Sequence, residues 1–131
     1  MTCFNNHLPD TVIFVRTKLA LIGSGMANLP KPYQQFREEH PDLYQAYENL
    51  GAVAANAGPL DPKTRELIKL GMAAANKSMS SVQSHTFRAL DCGVSPAEIE
   101  HTLMLGITTL GFPTIMSALT WAKQAIAEHN K

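Results

Sequence analysis

Helix starts and stops are spelled out along this chain in proline and glycine, and they leave room for little besides helices. Asp61-Pro62 pairs a capping side chain with a proline suited to the first helical turn. Ser95-Pro96-Ala97-Glu98 is a capping box with proline at the first helical position. Gly93 stops the helix before it, and Gly58-Pro59 and Gly111-Phe112-Pro113 stop two others. Between these marks the apolar residues recur at steps of three and four. The spacing predicts a short helix over 33–39, ended by His40-Pro41, and a second from about Pro41 to Asn56 with Leu43, Tyr47, Leu50 and Ala54 on one face. A third follows Asp61, with Leu67, Leu70, Gly71 and Ala74 on one side and Ile68 beside them. A turn at Asn76-Lys77-Ser78 leads to a fourth that runs to Cys92 and carries Val82, Ala89 and Leu90 inward. The fifth is expected to continue unbroken from Pro96 through Ile99, Leu103, Gly106 and Ile107 to Leu110. The last runs from about Thr114 to His129 with Ile115, Leu119, Ala122 and Ile126 aligned. The expected fold is therefore all-α, about six helices in one compact domain over 30–131. The short link between the fourth and fifth helices favours a helical hairpin there.

Composition narrows the function classes. The chain has 131 residues, 45% of them apolar, enough to bury a core without a structural metal. Eleven basic side chains balance eleven acidic ones, so nothing resembles the basic stripe of a nucleic-acid binder. Residues 1–29 read as an N-terminal arm. Its apolar runs, Val12–Val15 and Leu19–Ile22, are broken by Arg16 and Lys18 and are too short and charged to span a membrane. No basic segment precedes them, as a signal peptide would require. Gly23-Ser24-Gly25 reads as a flexible joint, and residues 1–25 are expected to be dispensable. Cys3 and Cys92 form no CxxC motif and are read as free thiols of a reducing cytoplasm.

One polar stripe stands out. Ser78, Ser81 and His85 are spaced i, i+3, i+7 and share a helix face, which Arg88 continues. A hairpin would bring Glu66, on the preceding helix, towards His85. An imidazole titrates near neutral pH and suits general acid or base work. Equally, serines at a helix start cap it, and a lone histidine is often only a hydrogen-bonded side chain. Glu66 also reads as an early-turn acid favoured by the helix dipole, and Arg88 as a solvated or interface charge. Glu98 and His101 have the i, i+3 spacing of carboxylate-bridged metal sites, but such sites need a second copy of the motif, so no metal is expected. Met72, Met104 and Met116 sit at apolar positions suited to core or subunit packing.

Several stretches together resemble the carboxymuconolactone decarboxylase family, which includes the alkylhydroperoxidase D proteins. They are Leu60-Asp61-Pro62-Lys63-Thr64-Arg65-Glu66-Leu67-Ile68, His85 with Arg88-Ala89-Leu90, Gly93-Val94-Ser95-Pro96-Ala97-Glu98-Ile99, and Gly111-Phe112-Pro113 with Ala118-Leu119. The resemblance runs from Leu60 to about Ile126 and implies an all-helical alkylhydroperoxidase D-like fold assembled into trimers or hexamers. Its redox branch carries Cys-x-x-Cys-x-x-x-His with an upstream acid in proton relay. Here His85 and Glu66 match the histidine and the acid, but Ser78 and Ser81 stand where the cysteines would be. A hydroxyl can supply neither the thiolate nor the disulfide of peroxide reduction.

The decarboxylase branch lacks the cysteine pair and keeps the histidine, as this chain does. The resemblance thus implies acid/base chemistry on a small carboxylated lactone of the 4-carboxymuconolactone type, or a related acid, with no dissociable cofactor. In that reading His85 is the acid or base, and Glu66 orients it or relays protons. Arg65 or Arg88 holds the substrate carboxylate, and Ser78 and Ser81 line the binding site. Two alternatives stay open: a thiol-dependent antioxidant protein, opposed by the two serines, and a non-catalytic oligomeric binding protein of the same fold.

Overall fold

A computed structural model describes residues 31–131, and all of their regular secondary structure is helical. The expectations for the arm over 1–29, including its apolar runs and its dispensability, lie outside the described residues. The helices are α1 (Lys31–Glu39), α2 (Pro41–Ala55), α3 (Pro62–Ala75), α4 (Met79–Asp91), α5 (Pro96–Met104), α6 (Ile107–Leu110) and α7 (Phe112–His129). They fall into two compact units, one holding α1 and α2 and ending at Leu60, the other running from Asp61 to Lys131.

In the first unit, α1 and α2 meet at His40, whose backbone leaves the helical region at φ −133° and ψ 62° ahead of Pro41. The Phe36 and His40 rings lie 5.2 Å apart across the break. The aligned face of α2 exists, and its large apolar side chains are exposed. Leu43, Tyr47, Leu50 and Val53 are each more than 60% exposed. Periodicity tells which side chains share a face; it does not tell what covers them.

The second unit builds the core. Asp61 caps α3 by accepting from the Thr64 amide at 2.8 Å. Leu70, Ala73 and Ala74 then face inward. Lys77 turns the chain with a positive φ of 52°. On α4, Val82, Thr86 and Ala89 fall at i, i+4, i+7 and are fully buried. Thr86 is the one buried polar side chain among the described residues, and its hydroxyl is satisfied by donating to the Val82 carbonyl at 2.8 Å. Ala118, Ala122 and Ala125 of α7 are also buried, and side chains this small let helices approach closely. Helix α4 packs between α3 and α7, so the antiparallel hairpin is α3–α4, whereas α5 lies mainly against α7 and α3.

Three expectations need correction. The fifth helix is not continuous: α5 stops at Met104, and a turn through Leu105 and Gly106 separates it from the single turn of α6. Gly106 sits so close to α7 that a Cβ there would stand 2.6 Å from Ile115 Cδ1. The last helix starts two residues earlier than its apolar pattern, at Phe112, because Gly111 with φ 90° provides the turn into it. Cys92 is disulfide-bonded rather than free, since spacing along a chain does not reveal which sulfurs meet in space.

Candidate functional site

The α3–α4 hairpin brings two ionisable side chains of the core's polar edge together. Glu66 lies on the first half of α3 and His85 in the middle of α4, nineteen residues apart in sequence, and Glu66 Oε2 is 2.9 Å from His85 Nδ1. Their side chains are only 13% and 19% exposed, so the pair is largely withdrawn from water without being sealed off.

The charges around Glu66 decide its state. Burial works to raise its carboxyl above the ordinary value. The hydrogen bond and charge of His85, helped by Lys69 and Arg88, outweigh burial and hold it below. An ionised carboxylate only accepts hydrogen bonds, so the proton between the pair belongs to Nδ1. The neutral ring then presents a bare lone pair at Nε2, and the protonated ring presents an N–H there. The only hydrogen bond of His85 among the described residues is the one to Glu66. No buried side-chain nitrogen or oxygen among them lacks a partner, so Nε2 must be reachable from outside. The geometry is that of an oriented imidazole with one nitrogen held and the other open.

The rest of the expected stripe is arranged differently. Ser78 is the N-cap of α4, accepting from the Ser81 amide at 3.4 Å and donating to Ser81 Oγ at 2.8 Å. The two hydroxyls thus bind each other, and Ser81 makes no hydrogen bond to His85 one turn on. Arg88, one turn beyond His85 and half-buried, is close enough for its charge to act on Glu66. Arg65 is half-buried as well, but its charge bears on Asp61 at the start of α3.

Lys69 was not singled out by sequence reasoning. Its Nζ lies 4.0 Å from Glu66 Oε1, and the i, i+3 spacing from Glu66 was the signal available. Glu98 serves the capping box, its Oε2 accepting from the Ser95 amide at 2.7 Å and from the Ser95 hydroxyl at 2.8 Å, while His101 is exposed. No group of three metal-capable side chains occurs among the described residues.

Comparison with known proteins identifies the family. A model of the carboxymuconolactone decarboxylase family matches residues 41–124, a span that holds both Glu66 and His85. An uncharacterised protein of Haemophilus influenzae is 36% identical over 63 residues, which are 48% of this chain and 56% of that protein. The chain therefore spans little more than half the length of that relative. An uncharacterised protein of Methanocaldococcus jannaschii is 27% identical over 84 residues, covering 63% of this chain and 81% of its own. Among solved structures, the apo form of a carboxymuconolactone decarboxylase family protein from Legionella pneumophila superposes with a TM-score of 0.67 at 29% identity, over 76% of this chain and 88% of that one.

Proposed function

The chain belongs to the carboxymuconolactone decarboxylase family, and from that premise we propose that it carries out acid/base chemistry, without a redox step, on a small carboxylated lactone or a related acid. The observation that carries the reading is the Glu66–His85 pair at 2.9 Å with Nε2 left open. In the lactone case the substrate carboxylate leaves as carbon dioxide. The bond's electron pair is delocalised into the unsaturated lactone, and one proton must arrive at carbon. His85 delivers it from Nε2. Glu66 holds the ring at Nδ1 and balances the positive charge that the ring carries before transfer. Arg88 is the better candidate of the two arginines to hold a substrate anion, because its charge already reaches the pair. Ser81, one turn before His85, keeps its own O–H to offer while accepting from Ser78.

We propose further that the protein works as a homo-oligomer, a trimer or hexamer. From Thr102 to Ala122 the sequence contains no charged residue and no histidine. Met104, Leu105, Ile107, Phe112 and Met116 of that stretch are exposed. Exposed apolar side chains on a stretch without charges support burial against another copy of the protein rather than contact with water. Among the described residues no helix is long and apolar enough to cross a membrane.

The test is a turnover and thermal-shift screen with carboxylated lactones and related acids, run on the wild type and on His85→Ala. A substrate whose turnover falls at least ~100-fold in His85→Ala supports the reading. Undiminished turnover in that variant refutes it, and binding without turnover in the wild type points instead to a binding protein of this fold.

A further inference from the structure

The two oxygens of the Glu66 carboxylate have different partners. Oε2 receives His85 Nδ1 at 2.9 Å, and Oε1 faces Lys69 Nζ at 4.0 Å. The second distance is that of an ion pair rather than a direct hydrogen bond. The final torsion of a glutamate is broad and two-fold, so a carboxylate held at one oxygen alone can tilt or exchange its oxygens at little cost. Any such tilt carries the acceptor off the plane of the imidazole and loosens the ring.

We propose that Lys69 is a positioning residue of this site: its ammonium, drawn to Oε1, keeps Oε2 on His85 Nδ1 and so keeps Nε2 turned outward. The proposal rests on the acid/base reading of the same pair. The charged groups acting on Glu66 are His85 and Arg88 from α4 and Lys69 from its own helix. Lys69 is the one that meets the oxygen His85 leaves vacant. Its side chain is 39% exposed, so replacing it does not open the core.

The experiment is carbon-13 and nitrogen-15 NMR of the full chain without substrate. Carboxyl-labelled glutamate follows Glu66, and ring-labelled histidine follows the tautomer of His85. Lys69→Met is expected to raise the Glu66 midpoint by about 0.7 of a pH unit, the size of one cation at 4 Å in water. It is also expected to lower the share of neutral His85 ring protonated at Nδ1. Lys69→Arg should restore both, and Lys63→Met, on the same helix, should change neither. Raising the salt concentration should reproduce the midpoint shift in the wild type and not in Lys69→Met.

An unchanged midpoint and tautomer in Lys69→Met overturns the proposal, as does a shift of equal size in Lys63→Met. None of these readings needs turnover. A failed substrate screen with a positive NMR result therefore removes the acid/base function and leaves the positioning. A His85-dependent turnover with a negative NMR result does the reverse.

Discussion

Replacing both members of the Glu66–His85 pair by leucine should leave the protein standing and abolish the proposed acid/base chemistry, while replacing either one alone should weaken the fold. The two side chains are 13% and 19% exposed, so each depends on the other for most of what water would have supplied. His85→Leu leaves the Glu66 carboxylate with Lys69 at 4.0 Å on one oxygen and no donor on the other. A buried charged acceptor stripped of its partner loses about 2 kcal/mol, less than in a sealed interior because this site is open at one side. Glu66→Leu strands a ring that can stay neutral, and about 1 kcal/mol is expected. The double variant exchanges two polar groups for apolar ones of similar bulk, and such exchanges run from neutral to stabilising, so it should lie within about 1 kcal/mol of the wild type. The implied coupling is about 3 kcal/mol.

Urea unfolding at pH 8 measures all four proteins, with equal denaturant slopes required before the free energies are compared. The acid side gives a second reading. Glu66 is held below its ordinary value of 4.5 in the folded protein, so its contribution is complete above that pH and drains away as pH falls through its folded value. The advantage of wild type over Glu66→Leu should therefore shrink below pH 4.5 and not above it. Additive single changes, or a His85→Leu loss under ~0.5 kcal/mol, would refute the reasoning.

Three other perturbations test how the fold is positioned. Gly106→Ala puts a Cβ 2.6 Å from Ile115 Cδ1 and 3.1 Å from the Leu103 carbonyl oxygen, and should destabilise by about 1–3 kcal/mol. Gly51→Ala in α2, where nothing lies within 4 Å of the new carbon, should stabilise by up to ~1 kcal/mol. Opposite signs in thermal unfolding are the check. Ser95→Ala removes the hydroxyl half of the capping box, leaving the residue-95 amide on Glu98, and should cost about 1 kcal/mol, with faster hydrogen exchange at the Glu98 amide as the local signature.

The helix ends were readable because caps are local. Asp61, Ser78 and Ser95 each accept from an amide three residues on, and that geometry needs nothing from the rest of the chain. The break inside 96–110 was not readable, because the apolar steps run on through it, while the packing that goes with it is tertiary: Ile115 Cδ1 of another helix stands 2.6 Å from where a Cβ on Gly106 would be. The disulfide at Cys92 was hidden because spacing along a chain does not say which sulfurs meet, and the exposure of α2's aligned face because periodicity does not say what covers a face. Of the site, the pairing of Glu66 with His85 followed from placing a hairpin at 76–78. The hairpin expected between the fourth and fifth helices was misplaced because a short loop was taken as a packing preference. Lys69 escaped notice because an i, i+3 lysine beside a glutamate is ordinary on a solvated helix. It acquires meaning only once the other carboxylate oxygen is seen to be engaged.

The two serines that argue against redox chemistry also help explain why His85 stands where it does. Ser78 is the N-cap of α4, and its hydroxyl both accepts from the Ser81 amide and donates to the Ser81 hydroxyl. The cap sets where the helix begins and therefore its rotational phase. His85 is two turns further along, and a start displaced by one residue would swing it by about 100° away from α3. Thr86, fully buried one residue later, defends the same phase from the core side, since such a swing would turn it towards solvent. A cap at one end and a buried threonine in the middle thus hold the ring against Glu66 before any substrate arrives. Cysteines at 78 and 81 would make the hairpin's start a reactive centre. With serines there, the acid/base chemistry proposed for this site falls to the one imidazole nitrogen that no described residue occupies.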